Sequence, residues 1–191
     1  MGGGSALGAV ILTACVAFAA DGTPLVFARL ALVALAAAAA FVLDEPAAAA
    51  VDAVPRTRRR RTGARATVVA LPFAVWTGGV LALKLRNSGT PAAALLIEGA
   101  GVLALALALA AALRRWGRNE PGDVVASAVG ATILALLLFN PFSRWVPLFP
   151  VADRWVLSSA CWGALTVAAM GIAVTASGDP FRNSRVLRRR N

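Results

Sequence analysis

AAALLIEGAGVLALALALAAAL, residues 92–113, admits two readings. The alternation of Leu and Ala over 102–111 has the period of two that a strand requires. Against it stands the length of the run: 22 residues with a single charge, Glu98. At 1.5 Å per helical residue that is about 33 Å, the thickness of a bilayer's hydrocarbon core. A barrel strand needs only about ten residues and a polar inward face. Ala and Leu are also among the best helix formers. The stretch therefore predicts a transmembrane helix, stopped by Arg114 and Arg115.

Working outward, five further runs of similar character appear at 3–20, 25–43, 66–85, 124–139 and 155–176, the fifth of the six, 124–139, being the shortest. Composition agrees with them: 59% hydrophobic residues, 15% charged and a mean hydropathy of +0.75 lie outside the range of an ordinary soluble domain. The expected fold class is all-α, a polytopic membrane helical bundle of six spans. One transmembrane domain, 1–181, then carries a cytoplasmic basic loop at 44–65, an external broken segment at 140–154 and a basic tail at 182–191.

Charge orients the bundle, because short cytoplasmic loops retain Lys and Arg. The loop after the second span holds Arg56, Arg58, Arg59, Arg60, Arg61 and Arg65; the loop after the fourth holds Arg114, Arg115 and Arg118; the tail holds Arg182, Arg185, Arg188, Arg189 and Arg190. These are fourteen, against Lys84, Arg86, Arg144 and Arg154 in the opposite loops. Both termini are expected in the cytoplasm of a bacterial cell, with the chain a multi-pass protein of its plasma membrane. A net charge of +10 in a soluble protein would suggest nucleic acid. At the ends of apolar spans it favours anionic lipid headgroups or a cytoplasmic partner protein instead, and no nucleic acid. The run Arg58, Arg59, Arg60, Arg61 reads as a topology and lipid anchor, with contact to a partner subunit as the alternative. "LTAC" at 12–15 resembles a lipoprotein cleavage box, but no Lys or Arg precedes it; the first run is expected to be a retained span.

Catalytic chemistry is hard to build from this chain. Histidine is absent, and two isolated cysteines, Cys15 and Cys161, make no metal site. The one lysine, Lys84, sits in LALKLR, so there is no P-loop. The chain is expected not to be an enzyme and to hold no cofactor or metal of its own.

Three features remain. In LDEPAAAAVDAVP, 43–55, Asp44 and Glu45 before Pro46 suit a helix start, and Pro55 suits its end; a short cytoplasmic helix containing Asp52 is expected, either a coupling element or a capped connector. Glu98 and Arg29 both lie inside spans, at comparable depth toward the external side. A charged residue there costs on the order of 2.5–3.5 kcal/mol at helix centre, so an ion pair between them, a solvated Glu98, a substrate or subunit contact and proton handling are the open readings. In NPFSRWVPLFPVADRW, 140–155, three prolines prevent one continuous helix, and Phe142, Trp145, Phe149 and Trp155 are placed as headgroup-level aromatics; the segment reads either as a broken, partly re-entrant piece dipping into the outer interface, shielded by neighbouring helices or wetted by a cavity, or as an aromatic belt alone. Gly4 and Gly8 have the spacing of close helix pairing.

Six spans, both termini inside, the longest cytoplasmic connection between spans 2 and 3, and a proline-broken external element between spans 5 and 6 together resemble the membrane subunit of an ABC-2-type exporter. LDEPAAAAVDAVPRTRRRR is similar to the cytoplasmic segment of small permease-like proteins of actinobacteria, and eighteen arginines against one lysine fit a GC-rich genome. The resemblance implies that Asp44, Glu45, Pro46 and the residues to about Val54, Asp52 included, contact a separate ATPase subunit that binds ATP and Mg. It also implies a second membrane subunit or a homodimer partner. The alternative is a structural or assembly subunit of another membrane complex.

Overall fold

Residues 92–113 take the helical reading: they belong to one helix, Ala92–Arg115. The computed structural model describes residues 7, 8, 10, 11, 14, 24–41, 70–118, 120–139, 147–150 and 154–176. Within them the elements are α1 (Pro24–Ala40), α2 (Ala70–Arg86), α3 (Ala92–Arg115), α4 (Gly122–Phe139) and α5 (Trp155–Ala176). Three of these, α3, α4 and α5, are long and apolar enough to cross a membrane; α1 and α2 are apolar but have 17 residues each. Leu7, Gly8, Val10, Ile11 and Ala14 are also helical. An added Cβ on Gly8 would lie 2.8 Å from Leu35 Cδ2, so the backbone at Gly8 lies close against α1. Gly4 lies outside the described residues.

The helix ends follow local chemistry. Gly117, at φ 93°, ends α3: its N–H donates to Arg114 C=O and that of Arg118 to Leu113 C=O, both at 3.1 Å, a Schellman arrangement that satisfies the last carbonyls. Arg114 and Arg115 in the last turn complement the helix dipole. Gly117 has nothing within 4 Å of an added Cβ, so Gly117→Ala is expected to cost about 1 kcal/mol from backbone strain alone. Unfolding in mixed micelles would measure it, and an unchanged midpoint would remove the strained cap from the account. Between α2 and α3 the chain turns at Asn87, whose Oδ1 accepts from the Gly89 N–H at 3.0 Å. The α4 helix begins at Gly122, two residues before the expected start of that span, with Asp123 in its first turn. The carboxylate stabilises that N-terminus, and at 18 residues α4 is longer than α1 and α2 rather than the shortest.

Packing is organised around α3. It contacts α5 most extensively and also touches α1, α2 and α4. Twelve of its residues are buried, most of them Ala, Gly, Leu or Val, and such small side chains let helix backbones approach closely. On α1 the buried stripe Ala28, Ala31, Leu32, Leu35, Ala36, Ala39 recurs every three or four residues, as a packed helix face does. By contrast α5 buries only Ser158, Trp162, Ala169 and Ala176. Its other faces expose Val156, Leu157, Val167, Met170, Ile172 and Val174, an apolar surface too continuous for a protein bathed in water. The described fold is thus an all-helical bundle with the outward apolarity of a membrane protein.

Candidate functional site

At one end of the bundle, three elements meet on a buried charge. Arg29, in the second turn of α1, and Glu98, in the second turn of α3, are 2% and 1% exposed. Arg29 Nε donates to Glu98 Oε1 at 3.0 Å and Nη2 to Oε2 at 3.2 Å. This two-pronged geometry is the one for which a planar guanidinium is suited and an ammonium is not. Nη2 also donates to the Pro150 C=O at 2.9 Å. The guanidinium carbon lies 5.2 Å from the Phe149 ring centre and 5.8 Å from that of Trp155. Each isolated charge would be costly at this depth; paired and hydrogen-bonded, the two can be retained.

The irregular segment 147–150 depends on the same cluster. Pro147 and Pro150 cannot donate backbone hydrogen bonds, and carbonyls freed from a helix must find partners where lipid or protein surrounds them. The Leu148 C=O accepts from Trp162 Nε1 at 2.7 Å and from Ser158 Oγ at 3.1 Å. The Pro150 C=O accepts from Arg29. Pro147, Phe149 and Pro150 are buried. Phe149 therefore departs from its expected place at the headgroups: it packs inside, 5.5 Å from the Trp162 ring centre, because both the cation and the indole offer it favourable contacts.

Two glycines of the IEGAG sequence make room for this arrangement. A Cβ on Gly99 would lie 2.1 Å from Trp76 Nε1, and one on Gly101 would lie 2.5 Å from Trp162 Cε3. Trp76 is fully buried and donates Nε1–H to the Leu95 C=O at 2.9 Å. Each glycine is thus the seat of an indole from a neighbouring helix.

Of the residues singled out by sequence, Arg29 and Glu98 are brought together. Asp44, Glu45, Pro46, Asp52 and Arg58, Arg59, Arg60 and Arg61 lie outside the described residues, as do Phe142 and Trp145. Cys161 is half-buried and free. Sequence reasoning did not assign Trp76, Ser158 or Trp162 to the cluster; the available signal was Glu98 beside two glycines, which marks a place where bulky side chains dock. Among the described residues no three of His, Cys, Asp and Glu gather as a metal site. The cluster's evident chemical capacity is to hold: it neutralises a charge and fixes an irregular segment to α1, α3 and α5.

Comparison with protein-family models, with curated proteins and with solved structures finds no match to this chain.

Proposed function

We propose that this chain is a six-span subunit of the bacterial cytoplasmic membrane, with both termini inside, and that it serves as the permease half of an ABC-type exporter. A separate ATPase would bind ATP and Mg and dock beneath the 44–54 segment. The observation that carries the reading is the division of labour between the two bundle ends. Arg29, Glu98 and Trp155 bring the N-terminal ends of α1, α3 and α5 together, and Arg115 donates to the Thr175 C=O at the opposite end of α3 and α5. The short connections at 87–91 and 116–121 return the chain in between, so the α3–α4 connection, with its arginines, falls at the end away from the ion pair. A unit clasped at its outer end and basic at its inner end suits rigid-body rocking driven from the cytoplasm.

Apolar packing through α1 and α3 favours a path between two bundles over one through a single chain. The same packing also fits the second reading, a structural or assembly subunit without a pathway. Affinity capture of the full chain from its native membrane, followed by mass spectrometry, separates them: a stoichiometric P-loop ATPase is expected for the exporter. Asp44→Ala with Glu45→Ala should then reduce the recovered ATPase by about tenfold, the loss of roughly 1.4 kcal/mol of contact, while membrane insertion is unchanged. Recovery of membrane proteins alone would select the structural subunit, and full ATPase recovery with the double variant would remove 44–54 as the docking site.

A further inference from the structure

A cavity of about 180 Å³ lies between α3, α4 and α5. Its walls are Val102, Leu105 and Leu109 of α3 and Val129, Ile133 and Leu136 of α4, and Phe149 and Trp162 also line it. Thr132 is the one hydroxyl-bearing residue of the lining. The cavity exists because α4 makes its main contact with α1, not with its chain neighbour α3, and because α4 and α5 are not in extensive contact. Among the described residues no side chain fills the wedge between them, and it is partly open.

We propose that this wedge binds one acyl chain of a membrane lipid. The inference rests on the membrane reading above. Val102 lies ten residues into α3, about 15 Å from its end, a depth reached by hydrocarbon tails and not by headgroups or water. From Val102 to Leu109 the wall runs about 10 Å along the helix axis, so the space is elongated in the direction in which lipid tails lie. Its lining offers almost nothing to a polar ligand. An unfilled apolar void forfeits the dispersion contacts of every wall atom, and an entering chain restores them without displacing bound water. Phe149 gives the site a consequence: one side of it lines the cavity and its ring lies 5.2 Å from the Arg29 guanidinium. A bound tail thus presses against the residue that backs the ion pair.

The test uses the full-length chain in detergent micelles with an equimolar phosphatidylcholine carrying a diazirine in the middle of one acyl chain. Detergent occupies the outer faces, so photolabel, located residue by residue by fragmentation, is expected on Leu105, Ile133 and Leu165 in excess of Val167, Met170 and Val174. Ala128→Phe and Thr132→Phe, each at an exposed lining position, should fill the wedge and abolish that excess of label, with the outward-face label unchanged. Label no greater in the wedge than on the outward face, or insensitive to both substitutions, overturns the proposal; so does an unlabelled wedge already occupied by another segment of the chain or by a second copy. Extraction of the chain from native membranes by alkaline carbonate would instead overturn the membrane reading itself.

Discussion

Glu98→Ala is expected to destabilise the bundle by about 3–5 kcal/mol, the range for leaving one partner of a buried ion pair uncompensated. The geometry explains why the loss should fall at the upper end of single substitutions. Glu98 accepts from two nitrogens of Arg29, and the guanidinium is 2% exposed, so without the carboxylate its charge faces aromatic rings and one carbonyl. Ordinary hydrogen bonds between membrane helices are worth far less, about 0.6 kcal/mol on average. Ser158→Ala, which leaves Trp162 on the same Leu148 carbonyl, should therefore be a minor change by comparison. Removing both charges in Arg29→Met with Glu98→Leu should restore part of the loss, because an apolar pair of similar size needs no neutralising partner. It would still leave the Pro150 carbonyl without its donor, a deficit of about 1–3 kcal/mol. Reversible unfolding in mixed micelles of Arg29→Met, Glu98→Leu and the double gives the coupling directly. Additive losses would show that the two side chains do not stabilise each other.

Gly99→Val is expected to rival that effect by an opposite route, since it adds atoms where none fit. Even a methyl would sit 2.1 Å from Trp76 Nε1 and 2.3 Å from Cδ1, contacts that cannot persist. Trp76 is fully buried between α2 and α3, so the indole must leave its seat and its bond to the Leu95 carbonyl. Overpacking at about 1–3 kcal/mol and a lost buried hydrogen bond at about 1 kcal/mol make about 3 kcal/mol together. The signature is non-additivity: in a Trp76→Ala background, where the space is already empty, Gly99→Val should be far less costly. A Gly99→Val variant equally destabilised in both backgrounds would locate the damage in the helix backbone instead.

Much of this architecture was legible along the chain. The spans at 92–113 and 155–176 correspond to α3 and α5 with at most two residues' difference, because long apolar runs and bordering charges are one-dimensional signals. Arg29 and Glu98 were legible as a compatible pair for a related reason: two opposite charges in apolar spans at similar depth have few other partners. The start of α4 was less legible, since Gly122 and Asp123 read as loop until the acidic first turn is recognised. Phe149 was assigned to the membrane surface on composition, and only its neighbours Arg29 and Trp162 account for its burial.

By itself, then, the sequence determined that the chain forms apolar helices, the bounds of α3 and α5 to within two residues, and the asymmetry of basic charge between the connections. Tertiary structure alone decided that α3 stands at the centre, that α4 packs on α1, and that Trp76 and Trp162 rest on Gly99 and Gly101. The physical reason is the solvent. A helix in water carries a polar face that marks its outside, whereas α5 exposes large apolar side chains on its outer faces and buries mostly Trp162, Ala169 and Ala176. Neighbours in such a bundle are chosen by close fit between surfaces of similar chemistry, and fit is a property of folded shapes.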